Sequence, residues 1–532
     1  MSIYKITLLL CFLNVGLNGQ TWEDLISIGG ENKESATIIT NGPGTSIFVG
    51  GIYDNPFDWD GTEVPAFGQD DLFLGCLDVM TKEWKWKLTA GSILDDSWAQ
   101  LTVDEDGNLI CVGVFWVDIN FGGILLENEV GSKSILVAKI NPAGEVLWAK
   151  RFDGSALKEV RGVDTDQAGN IYLTGYFRDE IYFGDTTLIA NGETAVFVSK
   201  LDKNGAPKWA RQFGGRKDTR GIGIGTIDGS EIALVGYYND TTYFDNFSLP
   251  AKTFDRDIFV LGLDSIGHTR WAKRAGGVFD EEPLAIKIGS NHDIWITGYL
   301  IGVLTLEDGF SIQSTNGTSD LFLLQYSRDG NPMVARSFGG TSSVQSNGID
   351  LDGNEVVLGG VYKGSINLPD NLPMTGNDEA GFVSAFDING QPLWARSLHS
   401  DESVFVNSVI KKDEKVWVIG SYQGTLTGGE ESLVNEGGFD AFIASLTLPP
   451  TSTHSPTSSL ELRVFPNPVS DTLFLESPGD LENISLEDAA GKVVFQGQNP
   501  SQIDVGKLPA GVYFLKGKLG RTPFSKVILI QH

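Results

Sequence analysis

The sequence predicts an all-β protein: a seven-bladed β-propeller of four-stranded blades, followed by a small C-terminal β-sandwich. A motif of the form Trp-Ala-(Lys/Arg), ending in Gly-Gly in its clearest copies, returns with variations at intervals of 60 to 63 residues. Each interval also contains short runs of β-branched and aromatic residues without helical periodicity. The residues after 459 carry no copy of this repeat and alternate in polarity. Repeats of several short strands are typical of a propeller, and alternation of this kind favours a sandwich.

Four strands are predicted in each repeat. The motif anchors stand at Trp86, Trp148, Trp209, Trp271, Val334 and Trp394. The clearest copy has strands at 161–166, 171–177, 195–201 and 208–213. Tight turns such as Gly169-Asn170 join them, because Gly accepts the positive φ and Asp or Asn supplies a local hydrogen bond.

The last repeat lacks its fourth strand, since it ends near Leu448. The run from Thr21 to Ile28, followed by Gly29-Gly30, matches the missing strand. We therefore predict that the N-terminal strand completes the last blade over residues 20–448. Such sharing leaves no open sheet edge.

The repeats resemble those of secreted bacterial β-propeller repeat (SBBP) proteins. The resemblance rests on the Gly-Asn turns, the Thr-Gly-Tyr strands and the Trp-Ala-(Lys/Arg) strand. These occur at Gly107-Asn108, Gly169-Asn170, Gly353-Asn354, Thr174 to Tyr176 and Thr297 to Tyr299. The resemblance implies a fold and no particular activity, because propellers host many functions.

Residues 1–19 have the pattern of a secretory signal peptide. Lys5 precedes an apolar run from Ile6 to Leu13, and small residues lead to Gly19. The run is shorter than the roughly 20 residues needed to span a membrane, and no later segment is suited to spanning. Cys76 and Cys111 lie in apolar runs, so we expect buried free thiols, although one disulfide between them remains open.

The chain ends in a separate domain. Residues 449–459 form an uncharged Pro/Ser/Thr linker, and 460–532 resemble the type A C-terminal sorting domain of the type IX secretion system of Bacteroidetes. The motif residues are Pro466, Asn467, Pro468, Gly491, Lys492, Gly511 and Tyr513. The resemblance implies Sec export, recognition by the type IX machinery, and a product that is released or attached to the cell surface. The alternative is an adhesive Ig-like module.

The charge is strongly acidic. The 532 residues contain 39 Lys+Arg and 69 Asp+Glu, so the formal net charge is 39 − 69 = −30. Nucleic acids and anionic lipid surfaces attract basic proteins, so neither is an expected partner. The charge permits binding of a cation, and calcium is the candidate that we consider.

The segments after each fourth strand are rich in acids and are expected to share one face of the propeller. The candidate binding residues there are Asp95, Asp96, Asp218, Asp280, Glu281, Asp401 and Glu402. The hypothesis is that this face binds a cation, or a cationic or hydroxyl-rich ligand such as a glycan. The alternative is solvated charge combined with strand capping.

Catalytic chemistry has little support in the sequence. His268, His292 and His399 occupy different positions of the repeat, so no Ser/His/Asp arrangement is indicated. Asp104 to Asn108 and Asp350 to Asn354 resemble the start of a calcium loop but lack the Glu that such a loop carries at its twelfth position.

The Asp-x-x-Gly-x-x-x-Trp pattern, as in Asp202 to Trp209, is similar to the tryptophan-docking repeat of quinone dehydrogenases. The structural explanation is that Trp packs between neighbouring blades while Asp and Gly form a hairpin turn. A quinone- or metal-dependent redox enzyme is the third class that the sequence leaves open.

We therefore expect a secreted or surface-attached, monomeric binding or structural propeller without catalytic activity or cofactor. The main alternative is an extracellular carbohydrate-active hydrolase or lyase with a carboxylate site on the acidic face.

Overall fold

The chain divides into two compact units, one up to Leu448 and one from Pro449. The computed structural model describes residues 21–128, 132–227, 231–251, 255–368, 378–429, 431–447, 463–465, 469, 471–476, 481–488, 492–519 and 522–530. The predicted signal peptide, the linker 449–459, and Pro466, Asn467, Pro468 and Gly491 lie outside these residues.

Among its described residues, the first unit contains seven antiparallel sheets of four or more strands, which we call blades 1 to 7. Blade strands are given from the inner to the outer edge. Blade 1 has Glu34–Asn41, Ser46–Tyr53, Asp71–Asp78 and Trp84–Ala90; blade 2 has Ser97–Val103, Leu109–Phe115, Ser134–Ile140 and Val146–Phe152; blade 3 has Lys158–Thr165, Ile171–Phe177, Ala195–Leu201 and Pro207–Phe213. Blade 4 has Thr219–Ile227, Glu231–Tyr238, Asp257–Asp264 and Thr269–Gly276; blade 5 has Glu281–Ile288, Ile294–Leu300, Asp320–Tyr326 and Pro332–Phe338. Blade 6 has Val344–Asp352, Glu355–Lys363, Glu379–Asp387 and Pro392–Leu398; blade 7 has Val404–Lys412, Lys415–Tyr422, Asp440–Thr447 and, as its outer strand, Thr21–Ile28.

The N-terminal strand closes blade 7, as predicted. Leu25 pairs with Ala444 and Ile28 with Ala441 in an antiparallel ladder. The Trp22 indole N–H donates to the Ser397 carbonyl of blade 6 at 3.0 Å. Blade 7 therefore combines three strands from the C-terminal end of the propeller sequence with one strand from its N-terminal end.

The inner strands form a closed ring around a central channel. Each contacts the inner strand of the next blade, and that of blade 7 contacts that of blade 1. Every inner strand has a register shift at the same place, which leaves one bulged residue per blade. The bulged residues are Thr37, Ala99, Arg161, Ile222, Leu284, Asn347 and Asn407. Bulges bend a strand and re-aim its side chains, so the channel wall is shaped alike in all seven blades.

Short hairpins occupy the connections between second and third strands. They are Phe57–Asp58 with Glu63–Val64, Ile119–Phe121 with Ile124–Leu126, Glu180–Phe183 with Thr186–Ile189, Thr242–Phe244 with Phe247–Leu249, Val303–Leu306 with Ser311–Gln313, and Thr425–Gly428 with Glu431–Val434. The hairpin of blade 5 contains a 3-10 turn at Glu307–Gly309 and adds two strands to blade 4. The other hairpins, apart from that of blade 2, bridge back to the outer strand of the preceding blade, as Ile181 does to Gly154.

The Gly-Gly at the end of the outer strands of blades 3, 4, 5 and 7 lies at this crowded junction. A Cβ on Gly276 would lie 1.7 Å from Asp257 Oδ1 of the same blade. A Cβ on Gly277 would lie 2.1 Å from the Val303 carbonyl oxygen of the next hairpin. Two successive residues without side chains are thus required by packing on both sides.

The repeated Trp packs between blades, in agreement with the structural explanation of the Asp-x-x-Gly-x-x-x-Trp pattern. The Trp209 indole donates to the Ser265 carbonyl at 3.1 Å, and its ring lies against Gly267 of the next blade. The Trp271 indole does the same with Arg328 and Gly330. The turn glycine, at φ 80° in Gly267, therefore both makes the hairpin and admits the neighbouring ring.

The second unit contains two sheets, as expected of a small β-sandwich. One comprises Arg463–Phe465, Thr472–Glu476 and Gln502–Asp504, and the other Leu481–Asp488, Val493–Gly497, Gly511–Leu519 and Thr522–Ile530. Leu473 and Ile503 of the first sheet and Leu486 and Leu515 of the second share one buried core. Among the described residues, no helix is long and apolar enough to cross a membrane.

Candidate functional site

The channel has two mouths, and the predicted acids lie around one of them. We call the face where the inner strands begin the upper face, and the face where they end the lower face. Because the strands are antiparallel, second strands end and third strands begin on the upper face; Tyr238 pairs there with Thr219 and with Asp257. The loops after the outer strands reach the same face.

Two of the predicted binding residues, Asp96 and Glu281, are buried at blade junctions. With Glu34 they occupy the position that begins each inner strand. The backbone N–H of each of the three donates to the carbonyl before the preceding blade's third strand, at 2.6 to 3.1 Å. The residues at this position are at most 1% exposed: Glu34, Asp96, Lys158, Thr219, Glu281, Val344 and Val404.

These buried carboxylates cap the preceding loop. Glu34 Oε2 accepts from Gly30 N–H at 2.9 Å, Asp96 Oδ2 accepts from Ser92 N–H at 2.6 Å, and Glu281 Oε2 accepts from Gly277 N–H at 3.2 Å. Burial raises the pKa of Glu34 to about 8, of Asp96 to about 7 and of Glu281 to about 9. A second carboxyl at the start of the preceding third strand adds to each shift; these are Asp440, Asp71 and Asp257 respectively.

Three further predicted residues have partners near their own loops. Asp218 accepts from Arg220 Nε at 2.9 Å, and Asp280 Oδ1 accepts from the backbone N–H of Arg256 at 3.0 Å. Asp401 accepts from the Thr425 backbone N–H. These contacts are those of loop capping and ion pairing.

The remaining two candidates, Asp95 and Glu402, are exposed. Within the described ranges, no group of three or more His, Cys, Asp or Glu is placed to hold a metal ion. The acids thus line one face but are not gathered at one point, and calcium binding stays a prediction.

A series of alternating tyrosines and arginines lies on the upper face of blades 3 to 5. Arg220 Cζ is 4.4 Å from the ring centre of Tyr176 and 5.7 Å from that of Tyr237. Arg256 Cζ is 5.0 Å from the ring centre of Tyr237, and its Nη1 is 3.4 Å from the Tyr299 hydroxyl. The cation–π contacts and the shared hydroxyl hold these side chains in fixed positions.

Acids complete this series. Asp218 pairs with Arg220, and Glu282 pairs with Arg256 while it accepts from the Tyr299 hydroxyl at 3.1 Å. The three tyrosines end equivalent second strands, and two of them belong to the Thr-Gly-Tyr sequences. The regular spacing of these tyrosines is visible in the sequence, but it was interpreted only as a feature of the fold. The arginines follow no repeat pattern.

The seven bulged residues form the upper rim of a chamber of about 220 Å³ inside the channel, and its wall continues toward the lower face to Asn41, Lys287 and Asp350. Asn347 Nδ2 donates to the Val406 carbonyl at 2.8 Å, and Asn407 Nδ2 donates to the Ala36 carbonyl at 2.9 Å. Arg161 is the charged member of this ring and is exposed to the channel. Within the described part of the chain, its guanidinium makes no hydrogen bond or ion pair.

Arg161 lies close to the tyrosine–arginine series. Burial, together with the charge of Glu159, raises the pKa of the Tyr176 hydroxyl, and the charges of Arg220 and Arg161 oppose that increase. The chamber wall and the upper-face series are therefore adjacent at Tyr176.

The three propeller histidines are dispersed. His268 lies in an exposed turn with Nδ1 3.5 Å from Asp264 Oδ2. His292 lies in a turn on the lower face. Burial lowers the pKa of His399, whose Nε2 is 3.5 Å from the Tyr362 hydroxyl on the upper face. The structure does not bring them together.

The sorting-motif residues that the structure describes, Lys492, Gly511 and Tyr513, have structural roles in turns and strands. Tyr513 is 4% exposed, and its hydroxyl donates to the Pro509 carbonyl at 2.9 Å. Lys492 is exposed beside the turn that its backbone N–H closes with Asp488 at 2.9 Å. Gly511 opens the strand that carries Tyr513.

The tail matches a known family. The model of the family described as "Secretion system C-terminal sorting domain" matches residues 463–531. The protein is therefore exported by the type IX secretion system to the cell surface or the extracellular space, and its tail interacts with that machinery.

The propeller has distant curated relatives. An "Uncharacterized WD repeat-containing protein L264" of Acanthamoeba polyphaga mimivirus is 21% identical over 523 residues, which cover 78% of this chain and 38% of that protein. A "Regulatory protein FlaEY" of Caulobacter vibrioides is 23% identical over 237 residues, which cover 43% of this chain and 24% of that protein. The chain thus spans well under half the length of either relative.

Solved structures resemble the chain weakly. A europium-containing methanol dehydrogenase matches with a TM-score of 0.33 and 11% identity over 80% of this chain and 93% of its own. The acylaminoacyl peptidase of Pyrococcus horikoshii matches with a TM-score of 0.36 and 9% identity over 94% and 58%. At these values the likeness carries no argument about function.

Proposed function

We propose that the exported propeller is a binding module without catalytic activity, and that it takes an acidic glycan at the upper mouth of its channel. We also infer that its repeats are of the SBBP type and that it acts in a bacterium of the Bacteroidetes. The Gly-Asn turns and the Trp-Ala strands that carry that resemblance have defined packing roles in the blades, which supports the inference.

Arg161 is the observation that carries the binding proposal. Its guanidinium lines the chamber without an ion pair among the described residues, and its planar fork suits a carboxylate or sulfate. The chamber of about 220 Å³ is smaller than a typical site for a drug-sized ligand, about 300–1,000 Å³. It therefore suits the end of a glycan chain, with the rest of the chain on the upper face.

The tyrosine–arginine series supports a recognition role at the same mouth. Its side chains are already fixed by cation–π contacts and ion pairs, so little conformational entropy is lost when a ligand docks. Asn347 and Asn407 place further polar groups on the chamber wall. A ligand with both hydroxyl and acidic groups matches this wall.

The alternative hydrolase or lyase would need an accessible pair of carboxyl groups with separated pKa values. The carboxyl pairs that include Glu34, Asp96 and Glu281, whose pKa values are raised, have Asp440, Asp71 and Asp257 as partners, and all six residues are at most 3% exposed. A substrate does not reach them, and this favours the binding proposal.

The test measures binding of the full-length mature chain to a panel of uronic-acid and sulfated oligosaccharides and their neutral counterparts. We expect Arg161→Ala to weaken binding of the acidic members at least tenfold, about 1.4 kcal/mol. Arg216→Ala is the matched control, because Arg216 is exposed on a loop of the same face. Equal affinities for the wild type and Arg161→Ala, or release of cleaved products from the bound glycan, would overturn the proposal.

A further inference from the structure

The lower mouth of the channel contains a second cavity, of about 550 Å³. Its wall consists of the ends of inner strands and the turns that follow them. Most lining side chains carry hydrogen-bonding groups, among them Thr102, Gln167, Thr226, Lys287, Ser290 and His292. The volume falls within the range of about 300–1,000 Å³ that is usual for small-molecule sites.

Most charged groups at this mouth are already matched within the protein, and the remaining one, Glu105, is exposed. Lys287 Nζ lies 2.8 Å from Asp350 Oδ1 of the next blade. Asp164 Oδ2 accepts from the Thr226 backbone N–H at 2.7 Å and from its hydroxyl at 2.9 Å. A ligand therefore meets a wall of hydroxyl, amide and imidazole groups beside satisfied charges, and this chemistry suits an uncharged, hydroxyl-rich molecule.

His292 is in an unusual backbone conformation in this wall. It has φ 68°, and the equivalent turns of blades 2 and 3 have Gly107 at 79° and Gly169 at 74°. The turn hydrogen bond is the same in all three, at 2.9 Å for His292, 2.9 Å for Gly107 and 2.8 Å for Gly169. The turn thus forms equally well with glycine and does not require an imidazole.

A side chain at such a φ costs stability relative to glycine. Local strain of this kind concentrates at functional sites, where the side chain has a role that offsets its cost. Since His292 lines the cavity, its imidazole is placed to donate to or accept from a ligand hydroxyl.

We infer that the lower mouth is a second binding site, that its ligand is an uncharged saccharide, and that His292 is a binding residue there. This cavity adjoins the chamber of the proposed acidic-glycan site, since Gln100, Leu101 and Lys287 line both, but it contains His292 and lacks Arg161. The two sites differ in ligand charge.

The experiment titrates cellotriose, xylotriose and mannotriose into the full-length mature chain by calorimetry. We expect at least one to bind, and His292→Gly to weaken that binding at least tenfold without lowering the melting temperature, because glycine suits the turn. Asp413→Gly is the matched control: Asp413 has φ 55° in the corresponding turn of blade 7 and does not line the cavity. Its affinity should equal that of the wild type.

The inference is overturned if none of the three sugars binds, or if His292→Gly binds as tightly as the wild type. It is also overturned if Arg161→Ala abolishes the binding, because the sugar would then occupy the upper mouth. If Arg161→Ala keeps its trisaccharide binding, the saccharide site does not depend on Arg161. The acidic-glycan proposal and the saccharide proposal can therefore be refuted independently.

Discussion

Glu34 Oε2 accepts a hydrogen bond from the Gly30 backbone N–H at 2.9 Å, at the point where blade 7 meets blade 1. The other carboxyl oxygen of Glu34 is buried and has no hydrogen-bond partner among the described residues. Asp440, Asp54 and Glu436 face the same carboxyl, and each disfavours its ionised form. The junction thus favours a neutral Glu34, and Glu281 in blade 5 repeats the arrangement.

The first prediction is that the propeller loses stability as the pH rises from about 5 to about 9. Glu34, Asp96 and Glu281 have pKa values raised to about 8, 7 and 9 from the ordinary 4.5, 3.8 and 4.5. In that window the folded state holds protons that the unfolded state releases, so the free energy of unfolding falls with pH. Urea unfolding at intervals of one pH unit measures the slope.

Glu34→Gln should reduce that slope, because glutamine stays neutral at every pH and has a similar shape. We expect the variant to be less sensitive than the wild type between about pH 5 and 8, where folded Glu34 holds a proton that the unfolded chain releases. Exposed Glu402→Gln is the control and should leave the slope unchanged. A wild-type stability that rises with pH over this window would contradict the assignment of neutral carboxyls.

The second prediction concerns the Gly-Gly motif. Gly276→Ala should destabilise the propeller by about 1–3 kcal/mol, because its new methyl group would overlap Asp257. Gly123→Ala is the control for a glycine in open space, and its φ of 89° costs backbone strain alone. Thermal and urea unfolding of both variants measure the difference.

A double variant separates crowding from backbone effects. Asp257→Ala removes the carboxyl atoms that the new methyl group would meet, so Gly276→Ala should cost less in that background than in the wild type. If the two changes are additive, the close approach does not explain the motif.

The seven-blade architecture and its closure followed from the sequence because each signal was repeated. The Trp, the turn Gly and the terminal Gly-Gly each meet a neighbour in the next blade, so the repeat in space preserves the repeat in sequence. Thr21–Ile28 was identifiable as the missing outer strand for the same reason.

The candidate-site residues were harder to predict from the sequence than the repeats. Asp96 and Asp95 are adjacent in sequence just before the strand Ser97–Val103, yet Asp96 is buried as a cap on the Ser92 N–H and Asp95 is exposed. Arg161 belongs to no motif, and its position depends on a bulge that only the pairing of two strands defines. Features that occur once, or that depend on register, left no periodic signal.

The third prediction is that the two cysteines outside the predicted signal peptide remain unreactive in the folded protein. Cys76 and Cys111 are free and buried, as expected from their apolar surroundings. Burial raises the pKa of both thiols, so little thiolate forms near pH 8. An aromatic disulfide reagent should titrate no thiol in buffer and both thiols in denaturant. Rapid reaction of either in buffer would contradict this packing.

The fourth prediction tests closure of the ring by the N-terminal strand. Ile28 is 1% exposed and packs in the core between blades 7 and 1. Ile28→Ala should lower the free energy of unfolding by about 2–5 kcal/mol, since it leaves a cavity where the ring closes. Ile266→Ala is the control, because Ile266 is 55% exposed in a turn, and a change at such a site is expected within about 0.5 kcal/mol. If the strand were dispensable, the two variants would unfold at the same urea concentration. If the ring depends on Thr21–Ile28, Ile28→Ala should unfold at a lower urea concentration than Ile266→Ala. We expect one cooperative transition, because the inner strands of blades 7 and 1 are in direct contact.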